Sequence, residues 1–192
     1  MEEWWFSIAK NLWGNYEVSK FIDSQGKLND TQISGKLEKE IETQKTYGIQ
    51  YYPIFLLSNN QHIGCCGLRP YDTGKRINEI GVHIIPNYWR KGFATEAINT
   101  VMKYAFKELK VKALFAGHNP NNNSSRNLLL KLGFRYTHDE FYPPTGLKHP
   151  SYLLTAEEYL QWKADWLLEA SIAISNTVAV TDSPWQKNCE IA

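Results

Sequence analysis

Cysteine is scarce in this chain of 192 residues. Cys65, Cys66 and Cys189 make an odd number, and the adjacent pair falls in an expected strand, where neighbours point to opposite faces, so no disulfide framework is indicated. The pair reads as small apolar packing groups in a reducing compartment. Long apolar runs are also missing: no stretch approaches the ~20 residues that span a bilayer. The opening Met1-Glu2-Glu3-Trp4-Trp5 has no basic region ahead of an apolar core, and the protein is expected to be cytoplasmic with no membrane partner. Charge of one sign is lacking as well. Twenty-one Lys and Arg face twenty Asp and Glu, leaving +1, which supplies no field for nucleic acid, so any anion site has to be local. His62, His83, His118, His138 and His149 show no ligand spacing with the cysteines, and a metal site is not expected.

What is present suits a folded globule. Hydrophobic residues make up 43% and aromatics 14%, enough for a proper core at this length. Residues 1–169 are expected to form one domain, followed by a tail, 170–192, whose alternating apolar and polar residues fit a loose hairpin or a mobile segment equally well. Trp5, Ile8 and Leu12 share a helical face that Gly14 ends, and a short amphipathic piece follows from Asn15 to Ile22. Asp30 or Thr31 can cap a helix with Ile33, Leu37 and Ile41 inward, ending at Gly48. Tyr51 to Leu57 and His62 to Leu68 read as paired strands, with Pro53 marking an edge or bulged position. A polar loop from Arg69 to Ile77 is expected next. Beyond it come a short buried strand at Ala113 to His118, a helix from Asn122, strands at Arg135 to Tyr142 and Ser151 to Leu154, and a helix from Thr155 to about Glu169.

The chain is organised around residues 79 to 109. Ile80, Val82 and Ile84 alternate with Glu79, Gly81 and His83 along a strand that Pro86 ends. Ala94, Ala97, Ile98, Val101, Met102, Ala105, Phe106 and Leu109 then recur at the three-and-four spacing of a buried helix stripe. Between them lies Arg90-Lys91-Gly92-Phe93-Ala94-Thr95. Amides at a helix start lack intrahelical partners, small residues allow close approach, and the helix dipole with two cations favours an anion. The segment reads as a phosphate cradle or as an ordinary strand-to-helix turn with two solvated cations. It is neither a Walker loop nor a dinucleotide fingerprint, since the required glycines and the Lys-Ser/Thr pair are absent.

Trp89-Arg90-Lys91-Gly92-Phe93-Ala94-Thr95-Glu96-Ala97 resembles the pyrophosphate loop of the GNAT superfamily of acetyl-CoA-dependent N-acetyltransferases, (Gln/Arg)-x-x-Gly-x-(Gly/Ala), and is most similar to the branch of the ribosomal-protein N-terminal acetyltransferases RimJ and RimL. Trp89 stands where the general pattern has Gln or Arg. A second stretch, Asn122-Asn123-Ser124-Ser125-Arg126-Asn127-Leu128-Leu129-Leu130-Lys131-Leu132-Gly133-Phe134, resembles that branch's Asn-x-x-Ser helix ending in Lys-Leu-Gly-Phe. The resemblance covers roughly residues 48 to 155. It implies an α/β mixed fold: a mostly antiparallel central sheet with one parallel, splayed strand pair and helices on both faces. Such chains usually open with a strand, and none precedes Trp4, so that strand is lost here or replaced, with the tail as candidate.

The resemblance also implies a function and a site. The function is direct transfer of an acetyl group from acetyl-CoA to a primary amine, on a protein N-terminus or a small molecule, in a ternary complex, with no metal and with a homodimer possible. A non-catalytic acyl-CoA-binding or sensing module is the alternative. The diphosphate would sit on Arg90, Lys91, Gly92, Phe93, Ala94 and Thr95, the pantetheine arm would bond backbone near Ile84, and Asn122 would hold the cofactor arm or loop. Transfer to an amine needs a neutral nucleophile, a stabilised oxyanion and a proton for the thiolate. Glu79 is the candidate base, although a strand-edge carboxylate facing water reads equally well, and His83 on the same face is its rival. Many relatives use a tyrosine as acid where this chain has Leu129; Ser125 fits the branch's serine instead. Asn122 and Ser125 are also ordinary helix-start residues. His118, Tyr142 and the Pro143-Pro144-Thr145-Gly146 turn are expected on the acceptor side.

Overall fold

A computed structural model describes residues 3–164. Three helices come first: α1 (Glu3–Trp13), α2 (Tyr16–Ser19) and α3 (Asp30–Tyr47). Strands β1 (Tyr51–Phe55), β2 (His62–Asp72) and β3 (Ile77–Ile84) follow, and a 3₁₀ turn at Pro86–Tyr88 leads into α4 (Phe93–Lys107). Then come β4 (Ala113–Gly117), α5 (Asn123–Lys131), β5 (Arg135–Tyr142) and β6 (Leu147–Thr155). The contacts divide the chain after Ala156. Residues 156–164 are helical; the rest of the helix expected to reach Glu169, and the whole 170–192 tail, lie outside the described residues.

The six strands run in the order β1-β2-β3-β4-β6-β5. Every neighbouring pair is antiparallel except β3 and β4, which are parallel and joined through α4, as a crossover of this length allows. The strand alternation divides the core. Ile80 and Ile84 face α4, whose Ile98, Met102 and Ala105 are almost wholly buried. On the other face Tyr51 and Cys65 pack against Ala9, Leu12 and Trp13 of α1 and Ile33 and Leu37 of α3. Full burial of side chains such as Met102 and Leu114, both 0% exposed, contributes about 1.5–3 kcal/mol each. Helices therefore cover both faces.

Several boundaries differ from the sequence-based expectation. The cap of α3 is Asn29, one residue earlier than expected, in a reciprocal capping box with Gln32. The polar loop expected from Arg69 shrinks to residues 73–76, because pairing with β3 carries β2 on to Asp72. Pro70, which has no N–H to give, sits where the register shifts. Similarly, β6 begins at Leu147, with Pro150 opposite Asp139, so the expected long connection after Tyr142 is a four-residue turn. No strand precedes α1 among the described residues, and β1 is an edge strand.

Candidate active site

The parallel pairing of β3 and β4 ends early. Its partners are Ile77 with Ala113, Asn78 with Leu114 and Glu79 with Phe115; beyond Glu79, β3 continues to Ile84 bonded only to β2, and β4 to Gly117 bonded only to β6. The strands part, and a cleft of about 420 Å³ opens between them. Main-chain groups alternate across a strand. The Ile85 N–H donates to the Ile63 carbonyl on the β2 side, at 2.9 Å, so the groups of Val82 and Ile84 face the gap. One of them is engaged: the Trp89 indole N–H donates to the Ile84 carbonyl at 2.6 Å. That bond gives the departure from the Gln/Arg pattern a physical role, because it ties the end of β3 to the loop that follows.

The loop itself is open. Arg90 has φ 60° and Gly92 φ 88°, and Gly92 is the residue before α4 with no side-chain cap. Intrahelical bonding starts with the Glu96 N–H on the Gly92 carbonyl at 3.0 Å. Among the described residues the amides from Arg90 to Thr95 donate to no backbone acceptor, as expected for a free helix start. A Cβ on Gly92 would meet nothing within 4 Å. The Lys91 ammonium lies 5.5 Å from the Tyr88 ring centre, and Arg90 is exposed. The free amides and the helix dipole thus open on accessible space next to Arg90 and Lys91 in the chain, an arrangement that suits a diphosphate.

At the point of divergence stands Glu79, lining the cleft. The Tyr51 phenol donates to its Oε1 at 3.4 Å. Gly81 is explained by this contact: any side chain there would run into the Tyr51 phenol. Gly81 pairs in register with Gly67, with no bulge between them. Behind Tyr51, Arg69 lies 4.2 Å over the ring and pairs with Glu40, whose other oxygen accepts the Tyr51 N–H at 3.0 Å. Burial, then the Glu79 charge, pushes the Tyr51 phenol well above its ordinary value, so it remains a donor.

His83 is differently placed. Its Nδ1 accepts the Trp13 indole N–H at 3.1 Å, so the ring proton resides on Nε2. Burial, with the Lys36 and Arg69 charges, holds His83 well below its usual range. The lone pair a base would use is occupied. Cys65 lies 3.7 Å from the same nitrogen, and burial pushes its thiol up to about 12. Both Cys65 and Cys66 are buried and free, consistent with packing groups.

On the other wall, the Asn122 Oδ1 caps α5 by accepting the Ser125 N–H at 3.1 Å. Asn122, Ser125 and buried Leu129 all line the cleft. His118 also lines it, held by the Asn119 carbonyl at 2.8 Å and the Tyr152 hydroxyl at 3.4 Å. Phe21, Ile22, Tyr142 and Pro143 line the cleft as well, and the Ser24 N–H donates to the adjoining Pro144 carbonyl at 2.9 Å. The structure therefore brings Glu79, Asn122 and Ser125 to one cleft, with Arg90 to Thr95 on the loop beyond Ile84.

Sequence reasoning missed Lys36, Tyr51, Arg69 and Tyr71, all of which line the cleft. One signal was there. Lys36 and Glu40 fall three and seven residues after Ile33, on the inward stripe of α3, where a solvated side chain is not expected.

The acetyltransferase (GNAT) domain family model matches residues 6–135, more than half of the chain. The chain belongs to the GNAT acetyltransferase family. An uncharacterized N-acetyltransferase of Bacillus licheniformis is 27% identical over 128 residues, 67% of this chain and 72% of that protein. The uncharacterized N-acetyltransferase YoaA of Bacillus subtilis is 41% identical over 73 residues, 38% of this chain and 41% of its own length. Among solved structures, a spermidine N-acetyltransferase from Vibrio cholerae in complex with CoA and spermine superposes with a TM-score of 0.68, at 18% identity, over 83% of this chain and 95% of that one. At that identity the likeness is one of fold. This GNAT chain is an acetyl-CoA-dependent acetyltransferase with the family's splayed parallel pair.

Proposed function

We propose that the protein transfers the acetyl group of acetyl-CoA directly to a primary amine, with the diphosphate on Arg90 to Thr95 and the reacting centre beside Glu79. The observation that carries this reading is the parting of β3 from β4 immediately after Glu79. A thioester lying along β3 would enter that gap from the α4 side. The Val82 main-chain groups are free to bond the pantetheine arm; a bond at the Ile84 carbonyl requires the Trp89 indole to yield. Asn122 spends its Oδ1 on capping and keeps its amide N–H groups to donate toward the arm.

The amine nitrogen attacks the thioester carbon, the carbon–sulfur bond breaks, and two protons move. Glu79 takes the amine's proton on a carboxylate oxygen; its rival His83 has its acceptor nitrogen filled by Trp13. Ser125, which lines the same cleft, supplies a proton from Oγ to the departing sulfur and regains one from solvent, in place of the tyrosine that Leu129 precludes. Likeness to the ribosomal-protein N-terminal acetyltransferases rests on the Asn-x-x-Ser helix and the Trp89 loop. The family membership supports acetyl transfer and leaves the acceptor to chemistry.

The test is release of free thiol from acetyl-CoA by the full-length protein across a panel of amino acids, peptides, polyamines and amino sugars. Turnover with at least one amine is expected. CoA binding without turnover on any amine would overturn the enzymatic reading in favour of a binding module.

A further inference from the structure

Polar groups lining the acceptor half of the cleft are not equally satisfied. Glu40, behind the cleft wall, is spent on Arg69 and the Tyr51 N–H; of the carboxylates that line the cleft, Glu79 accepts from the Tyr51 phenol at one oxygen and exposed Glu140 from the Tyr71 phenol at 3.2 Å. The unspent groups are donors. Lys36 has no carboxylate within 4.0 Å among the described residues and rests 5.0 Å over the Trp13 ring. The Arg69 Nε is buried without a partner, as is the Ser151 Oγ, and all three residues line the cleft.

From this imbalance we propose that the acceptor carries a carboxylate close to its amine, held by Lys36 and Arg69 while Glu79 faces the amine. The inference rests on the active-site reading above. A carboxylate has the acceptor sites to satisfy an ammonium and a guanidinium Nε together. Burial first, then the Arg69 charge, lowers Lys36 to about 8 against the opposing pull of Glu40, Cys65 and Glu79, so an added carboxylate beside it would favour its charged form. A polyamine meets the opposite situation: two cations in the wall and, beyond the Glu79 that faces its reacting amine, only the exposed Glu140 for its other ammonium groups. The carboxylate can come from a free amino acid or from an acidic side chain at a peptide N-terminus, and the chemistry recognised is the same.

Calorimetric titration of the full-length, CoA-loaded protein tests this with L-phenylalanine against 2-phenylethylamine, spermidine, and peptide amides beginning with Asp or Ala. At least one carboxylated probe is expected to bind roughly ten- to hundredfold tighter than its counterpart without the carboxylate, the size of a charge-assisted hydrogen bond. Lys36→Met should reduce that ratio to below about threefold with CoA affinity unchanged. Preference for the amino acid identifies a free acceptor and preference for the Asp peptide a protein one; either supports the proposal. Spermidine or 2-phenylethylamine binding as tightly as every carboxylated probe, in the unaltered protein, would overturn it. So would a preference that survives Lys36→Met intact. Thiol release measured in parallel separates the two readings: preference without release contradicts the enzymatic site, and release without preference contradicts only the carboxylate.

Discussion

Glu79→Gln is expected to lower kcat by roughly 10²- to 10⁴-fold, the usual contribution of a positioned general base, while the affinity for CoA stays within about twofold. The substitution preserves size and keeps an oxygen to accept the Tyr51 phenol, so the fold has no reason to change. What it removes is the ability to hold a proton. The loss should depend on the acceptor: an α-amine, with a pKa near ~8, presents more neutral nucleophile than a lysine side chain near ~10.4 and needs the base less. Initial rates at saturating acetyl-CoA, with CoA binding measured separately, decide the matter. Unchanged turnover would move the proton acceptor to water, or to a His83 released from Trp13.

The second large effect is expected in binding. Gly92→Val should weaken CoA by roughly a hundredfold, equivalent to losing one or two charge-assisted hydrogen bonds. Two physical costs combine at this position. A φ of 88° lies where a β-branched residue is strained, and relaxing that strain would turn the first amides of α4 away from their common focus. The side chain would also occupy the open space in front of them, where nothing protein-derived lies within 4 Å of a Cβ. The strain should lower the thermal midpoint by about 2–8 °C, and a calorimetric CoA titration well below that midpoint would isolate the binding loss. Unaltered affinity would place the diphosphate somewhere other than the start of α4.

The central strand, α4 and the loop between them were legible because each rests on local signals: period-two alternation to Ile84, Pro86 as a stop, and a three-and-four stripe through Met102. The parallel crossover followed from order alone. Long-range contacts were what stayed hidden. Nothing near Arg69 announces that pairing with β3 extends β2 past Pro70, and so Arg69 and Tyr71 read as loop residues instead of cleft wall. Nothing at Gly81 announced that Tyr51, from an edge strand, lies against it; only the fold reveals that contact. His83 looked like a base until Trp13, seventy residues away, was found on its Nδ1. Trp89 departed from the family pattern without explanation; its bond to the Ile84 carbonyl supplies one. Lys36 and Glu40 left a trace on the inward face of α3, yet the partners of Glu40 come from β1 and β2.

The most direct measurement is a crystal structure of the protein with acetyl-CoA. The account predicts phosphate oxygens within hydrogen-bond distance of the amides between Arg90 and Thr95, and the acetyl carbon in the gap beyond Glu79, between β3 and β4. A nucleotide bound away from α4, or a thioester on the far side of the sheet, would contradict it.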